Sequence, residues 1–349
     1  MTGFELPANL SGMALWLPLV WAGIIAFAVA MYVLLDGFDL GIGILFTSAE
    51  NDNWRDRMML SVAPIWDFNE TWLILGGAGL FAVFHLAYAM LMPALYVPII
   101  VMLIALIFRG VAFEFRFKAE TSKHWWDKSF HYGSILATFA QGVVLGAFVQ
   151  GFATNGRQFT GGTWDFLTPF SIMTGFALIA GYALLGATWL VMKTTGELEL
   201  WARRQAMRYV LLTVGAMAIV SLWVPFLDTG IRERWFSFPN LLYLAPVPVI
   251  TALVAIQLWF AVKRNLRYWP FFLSMGLFLL GYAGLGVSLF PNIVPPDVTI
   301  WEASNTPSSQ IFTLIGFSFS LPATLIYTGY AYWVFRGKVA EDVESSGYH

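Results

Sequence analysis

The chain contains no cysteine, and this absence removes several kinds of chemistry at once. Disulfides, thiolate catalysis, thiolate-ligated haem and cysteine-held iron–sulfur clusters are all excluded. Charged residues are also scarce, at 11% of the 349 residues, whereas soluble domains carry about 25%. No basic patch with interleaved aromatic residues occurs, which argues against a nucleic-acid partner.

Histidine is scarce too, and none of the four histidines falls in the middle of an apolar run. His85 adjoins the outer end of the second run, His124 and His131 lie in or beside a polar connection, and His349 ends the chain. A haem held within a bilayer needs a buried His or Met ligand. Methionines are available, but Met at helical spacing is typical of packing. We therefore predict that this chain holds neither haem nor metal.

Long apolar runs dominate what remains, since 58% of the residues are hydrophobic. A membrane barrel would show short alternating segments instead, so the pattern predicts an all-α polytopic membrane protein. With about 20 residues per span, residues 1–339 form one membrane domain of nine transmembrane helices, followed by a cytoplasmic tail, residues 340–349. We expect two four-helix bundles plus one peripheral helix. The predicted helices are residues 15–46, 58–84, 93–116, 130–152, 169–192, 206–227, 243–263, 270–290 and 311–335.

Lys and Arg residues lie mostly at one set of helix ends. The opposite ends carry only Arg157, Arg232 and Arg234. Because cytoplasmic connections are enriched in basic residues, the N-terminus is predicted outside and the C-terminus in the cytoplasm. Residues 1–14 contain no Lys or Arg, so we expect no signal peptide there.

Charged residues interrupt three of the apolar runs, at depths where lipid disfavours them. They are Asp36 and Asp39 in the first run, Asp67 and Glu70 in the second, and Arg109 with Glu114 in the third. A charge at the bilayer centre costs about 2.5–3.5 kcal/mol, so such residues face a partner or a wet cavity. Counted from Met58 at about 1.5 Å per residue, Asp67 and Glu70 lie roughly 13 and 18 Å deep. The depths predict a column of acids that opens to the cytoplasm, which suits a proton path.

A structural interpretation of these residues stands beside the functional one. Arg109 would pair with one carboxylate while the other acids cap helix ends, and for Asp36 capping is as good an explanation as function. The Gly-rich stretch after Asp36, with Gly37, Gly41 and Gly43, would let a neighbouring helix approach or let this helix break.

Two later helices combine small residues with residues that can form hydrogen bonds. The latter are Gln141, Gln150, Thr188 and Trp189. Most such residues join helices through hydrogen bonds, and a site for a quinone or a lipid is the alternative.

Five segments carry a resemblance to a known family. They are Asp36–Gly43 (DGFDLGIG), Ala63–Leu73 (APIWDFNETWL), Phe108–Arg116 (FRGVAFEFR), Gly186–Leu190 (GATWL) and Thr194–Leu198 (TTGEL). With them the chain resembles subunit II of the cytochrome bd-type quinol oxidases, and it looks closest to the cyanide-insensitive branch. The similarity runs over essentially the whole chain.

The resemblance implies a heterodimer in a bacterial inner membrane. Subunit I would carry the b and d haems and oxidise quinol, while subunit II would carry no haem. The complex would reduce oxygen to water with protons from the cytoplasm, and so build a gradient without pumping. A structural ubiquinone or lipid and a small single-helix accessory peptide are further expectations from the family.

The family's proton path is expected to use acids matching Asp39, Asp67 and Glu114, with Lys118 as the basic residue at its mouth. Two departures bear on this transfer. Phe68 stands where the family often has Gly, which would narrow the path beside Asp67, and some members have Asp in place of Glu114.

Two other functions remain open from the sequence. A secondary transporter would couple these acids to a solute, but such proteins usually show inverted repeats, and only one broken helix is predicted here. A purely structural scaffold subunit would use the acids for pairing alone.

Overall fold

The computed structural model describes residues 7 and 10–341 of the chain. The predicted tail from residue 342 onward, and His349 with it, lies outside the described residues. The described helices are α1 Met13–Leu45, α2 Asp52–Leu60, α3 Trp66–Val83, α4 His85–Phe115, α5 Lys123–Gln150, α6 Pro169–Lys193, α7 Gly196–Trp223, α8 Thr229–Phe236, α9 Asn240–Leu244, α10 Pro246–Lys263, α11 Trp269–Leu289, α12 Ile300–Ala303 and α13 Pro307–Val334. Two short antiparallel hairpins, Thr154–Asn155 with Gln158–Phe159 (β1, β2) and Asn292–Val294 with Val298–Thr299 (β3, β4), lie in connections.

Eight described helical segments are long and apolar enough to cross a membrane. They contain α1, α4, α5, α6, α7, α10, α11 and α13. This confirms the predicted class, an all-α polytopic membrane protein. Helix α3 has 18 residues but is not among the eight, and its first turns carry Asp67, Asn69 and Glu70.

Helix α1 packs against α3, α5 and α6 and is the central helix of the described chain. Its approach to α6 is so close that a Cβ atom on Gly41 would lie 1.8 Å from the carbonyl oxygen of Tyr182. Only glycine fits there, because any side chain would enter the backbone of α6. The Gly-rich stretch therefore serves close packing. The alternative of a broken helix after Asp36 is wrong, since α1 continues to Leu45.

A second group of helices extends from α6. Helix α7 lies along α6, while α10 and α11 pack together against α7 and α6. Helix α13 contacts α3 and α1 and leaves most of its surface exposed. In a membrane those exposed apolar side chains meet lipid or a partner protein.

The predicted continuous helix over residues 58–84 is wrong. Helix α2 ends at Leu60, residues 61–65 form turns, and α3 begins at Trp66. Pro64 accounts for the interruption, because its ring fixes φ, it has no N–H, and it disfavours helical backbone at Ala63. The depths counted from Met58 are wrong with it: Asp67 lies in the first turn of α3, and Glu70 only about 6 Å into the helix.

Several other helices extend beyond the predicted limits. Helix α4 begins at His85 rather than 93, α5 at Lys123 rather than 130, and α7 at Gly196 rather than 206. The predicted helix 243–263 divides near Ala245 into α9 and α10. Hydropathy locates only the apolar centre of a span, whereas polar residues continue these helices past it.

Candidate functional site

The three polar segments meet at one end of the bundle. Helix α1 approaches its C-terminal end there, α3 begins and α4 ends. Asp36, Asp39, Asn69 and Arg109 are each 0% exposed, so the structure encloses them completely. We call these four residues, with the half-buried Glu70, the acid cluster.

Arg109 is the cation of the acid cluster. Its Nη1 donates to Asp36 Oδ1 at 2.6 Å, and its Nη2 lies 3.5 Å from Glu70 Oε2. The Trp66 ring lies over the guanidinium, 5.8 Å from its carbon, and stacks on Phe113 at 4.9 Å. The pair expected between Arg109 and a carboxylate is present, with Asp36 as the direct partner.

Asp39 has a different partner, which the sequence did not reveal. Asn69 donates from Nδ2 to Asp39 Oδ2 at 2.7 Å, and Tyr332 on α13 donates from its hydroxyl to Asn69 Oδ1 at 2.9 Å. Asn69 shares the buried face of α3 with Trp72 and Gly76, a helical spacing that was available as a signal. Nothing in the sequence indicated Tyr332, which is 263 positions away.

A second polar chain leads away from Asp36 into the bundle. Tyr32, one turn earlier on α1, interacts with Asp36. Gln141 donates from Nε2 to the Tyr32 hydroxyl at 2.7 Å, and Tyr182 donates to Gln141 Oε1 at 3.1 Å. These bonds join α1, α5 and α6 and occupy both ends of the Gln141 amide.

The other residues considered for a quinone or lipid site also bond within the chain. Thr168 donates to Gln150, and the Thr188 hydroxyl lies 3.0 Å from the Ser274 hydroxyl. Trp189 stacks on Phe38 at 4.2 Å. Their observed contacts are helix–helix contacts.

Asp67, Glu114 and Lys118 are not drawn into the acid cluster. Asp67 is exposed at the start of α3, and Phe68 packs against Tyr327 of α13 at 4.4 Å. Lys118 Nζ lies 3.7 Å from Glu114 Oε2, and their side chains are 76% and 67% exposed. Glu114 follows Arg109 by five positions, which turns it about 140° around α4 and away from the cluster.

A separate ionic network, which the sequence did not indicate, lies just beyond the acid cluster. Fully buried Arg116 contacts Asp56 and Asp127, each at 2.5 Å, and Lys123 Nζ lies 3.0 Å from Asp56. This network ties α2 to the adjoining ends of α4 and α5. It therefore fixes the end of the bundle that contains the acid cluster.

The segment after α13 closes over the same end. Lys193 donates to the carbonyl groups of Phe335 and Gly337, and Thr195 donates to Glu341 Oε1 at 2.7 Å. Arg57 donates to Thr195 O at 3.1 Å, and burial lowers the pKa of Arg57 while Glu341 opposes that shift. These contacts hold the C-terminal end of α13 in place.

The described histidines do not fit a haem site. His85 and His124 are exposed. His131 has both ring nitrogens engaged, with Gly43 O at 2.9 Å and the Thr47 hydroxyl at 3.1 Å. No group of three or more His, Asp or Glu side chains suited to a metal occurs among the described residues.

Comparison with known proteins agrees with this architecture. A family model described as cytochrome bd terminal oxidase subunit II matches residues 17–335. Cytochrome bd-I ubiquinol oxidase subunit 2 of Escherichia coli (strain K12) is 29% identical, over 95% of this chain and 96% of its own length. Cytochrome bd ubiquinol oxidase subunit 2 of Bacillus subtilis (strain 168) is 26% identical, over 92% and 96%.

A solved structure shares the fold. The bd oxidase from Geobacillus thermodenitrificans superposes with a TM-score of 0.76 at 18% identity, covering 92% of this chain and 98% of that one.

Proposed function

We propose, from the premise that this chain belongs to the cytochrome bd terminal oxidase subunit II family, that it passes protons from the cytoplasm towards the oxygen-reducing site of its complex. As a family member it is a subunit of a membrane oxidoreductase, with a subunit I as partner. Quinol and oxygen are the substrates we propose for the complex. The haems b and d are proposed to lie in subunit I, because the described histidines here do not suit them.

The charge balance of the acid cluster carries this proposal. Two completely buried carboxyl groups, Asp36 and Asp39, lie beside a single guanidinium. Arg109 neutralises Asp36 by direct contact, so an ionised Asp39 would be an uncompensated buried charge, which is costly. A proton on Asp39 restores neutrality. Since Asp39 Oδ1 has no hydrogen-bond partner among the described residues, it is the atom where we place that proton.

The route into the cluster starts at the exposed acids. Glu114 and Lys118 stand at the end of α4, Asp67 opens α3, and Glu70 lies one turn further at 24% side-chain exposure. We propose that protons enter past these groups and reach Asp39 and Asp36. Carboxyl groups in partly wet surroundings suit such transfers because each can both accept and donate a proton.

The face of α3 and α4 is proposed to meet subunit I. Asp67 is exposed on α3, and large apolar side chains are exposed on both helices, among them Ile74 of α3 at 68% and Ile107 of α4 at 64%. A carboxylate facing lipid is disfavoured, whereas a protein partner can supply polar contacts. Covering this face would also place the acid cluster next to the partner.

We further propose nine membrane crossings with the N-terminus outside and the C-terminus in the cytoplasm of a bacterial inner membrane. Helix α3 is the ninth crossing, since its 18 residues span about 27 Å, close to the apolar thickness of a bilayer. The packing supports a first bundle of α1, α3, α4 and α5, a second of α6, α7, α10 and α11, and a peripheral α13. Most basic residues then lie on the cytoplasmic side.

The test replaces Asp39 by Asn in the purified two-subunit complex. Oxygen consumption with a short-chain ubiquinol is expected to fall at least tenfold while the haem spectrum stays normal, because the amide cannot carry a proton. Glu197→Gln, an exposed acid at the start of α7, is the matched control and is expected to keep wild-type turnover.

Unchanged turnover of Asp39→Asn with normal haem content would refute the proton role. The acid cluster would then be a structural pair that supports the haem subunit, which is the scaffold function.

A further inference from the structure

Three side chains from three different helices form one directed hydrogen-bonded chain that ends at Asp39 in the acid cluster. Tyr332 of α13 donates to Asn69 of α3, which donates to Asp39 of α1. Tyr332 and Asn69 are not themselves carboxyl groups, and the proton route described above does not use them. Their arrangement nevertheless determines which hydrogen-bond donor Asp39 contacts.

The surroundings of Asn69 fix which way its amide points. The amide nitrogen faces two acceptors. They are the carbonyl oxygen of Leu35 at 3.3 Å and Asp39 Oδ2 at 2.7 Å, and the ionised Asp39 carboxylate can only accept. The amide oxygen faces a hydroxyl donor, Tyr332, at 2.9 Å. The reversed orientation would set the amide oxygen against both acceptors, so only the observed orientation satisfies all partners.

The Tyr332 hydroxyl is itself held firmly. Its ring packs against Phe38 and Trp189, with ring centroids 6.5 and 6.2 Å apart. Three residues later, Phe335 accepts from buried Lys193, which anchors the C-terminal end of α13. A peripheral helix thereby delivers one fixed donor to the acid cluster.

We propose that Asn69 and Tyr332 are positioning residues that keep a hydrogen-bond donor aimed at Asp39, so that Asp39 readily releases the proton it accepts. This inference rests on the proposed function. A donated hydrogen bond stabilises the ionised carboxylate, whereas Oδ1, which lacks a described partner, bonds the arriving proton and loses it again. The N–H bonds of Asn69 stay intact throughout.

Three charged groups around Asp39 also affect whether its carboxyl group is ionised. Asp36 on α1 and Glu70 on α3 disfavour its ionised form, while Arg109 on α4 favours it. Those three groups are unchanged when only the Tyr332 hydroxyl is removed. The pH dependence of turnover therefore reports on the donor chain.

The experiment uses Tyr332→Phe and Asn69→Leu in the purified complex. We expect normal haem spectra, turnover reduced about three- to tenfold, and a pH profile displaced by about one unit towards higher pH, because Asp39 retains its proton longer without the donor. Tyr327→Phe, an exposed tyrosine on the same helix, is expected to match wild type in both respects.

Infrared difference spectra provide a readout that does not depend on turnover. The protonated carboxyl band of Asp39 is identified by its loss in Asp39→Asn, and in Tyr332→Phe it is expected to persist to higher pH.

The outcomes separate the inference from the proposed function. If Asp39→Asn abolishes turnover while Tyr332→Phe keeps the wild-type rate, pH profile and carboxyl band, the inference is overturned and the proton role stands. If Asp39→Asn keeps full turnover, the proton role itself fails. Asn69→Leu serves as the second variant, and agreement of both variants in pH profile supports the inference.

Discussion

Arg109 compensates the buried negative charge of the acid cluster. Its removal should show how much this charge compensation contributes to the stability of the bundle. In Arg109→Met the buried Asp36 loses its partner while its carboxyl group remains enclosed. Breaking a buried pair from one side typically costs about 3–5 kcal/mol. We expect a lower melting temperature and a reduced haem content of the purified complex, measured by thermal unfolding and by the visible spectrum.

Two further variants identify the cause. Arg204→Met removes an exposed arginine on α7 and should change stability by no more than about 0.5 kcal/mol. Adding Asp36→Asn to Arg109→Met removes the orphaned charge and should restore part of the lost stability. An Arg109→Met complex as stable as wild type would contradict the proposed charge balance.

The sequence could predict part of the acid cluster at the level of single residues. Asp36, Asp39 and Arg109 were recognisable because charges are rare within apolar runs. Tyr332 was not, because its hydroxyl gains significance only from the packing of α13 against α3. Glu114 was expected at the mouth of the acid column, yet it lies apart from the acid cluster, because the sequence does not show which face of α4 packs against its neighbours.

At the level of helices, α1 and α6 approach each other very closely at Gly41. In Gly41→Ala the new Cβ would lie 1.8 Å from Tyr182 O, which is backbone and cannot move aside. Overpacking of this kind costs about 1–3 kcal/mol or more. We expect reduced assembly of the complex and a lower melting temperature, measured on membranes and on purified protein.

Gly23→Ala is the matched control within the same helix. No heavy atom outside its local helix lies within 4 Å of a Cβ there, so the variant should assemble as wild type does. Equal behaviour of Gly23→Ala and Gly41→Ala would show that α1 and α6 pack less closely than described.

Hydropathy located apolar segments, eight of which are long and apolar enough to cross a membrane among the described residues, but it placed their ends poorly. Pro64 was visible in the sequence and marks the break between α2 and α3, yet the apolar residues on both sides concealed it. The start of α7 was missed because Glu199 and Arg203 make that turn polar, although their contact at 2.6 Å supports a helix. A polar turn therefore does not show that a helix has ended.

At the scale of the whole molecule, one end of the bundle concentrates both charge and contacts. The acid cluster, the Arg116 network and the segment after α13 all lie where most basic residues are found. The opposite end is formed by the two hairpins and by α8, α9 and α12. The orientation of the chain in the membrane therefore decides which side of the membrane would supply protons to the proposed route.

The absence of cysteine makes this orientation directly measurable, because single cysteines can be introduced without background labelling of this chain. Asn155→Cys is exposed on the hairpin between α5 and α6, and Glu120→Cys is exposed in the connection between α4 and α5. With the basic end in the cytoplasm, a membrane-impermeant maleimide should label the first in intact cells and the second only after permeabilisation. The opposite pattern would invert the protein, place the acid cluster near the outer surface, and remove the cytoplasmic source of protons from the proposed route.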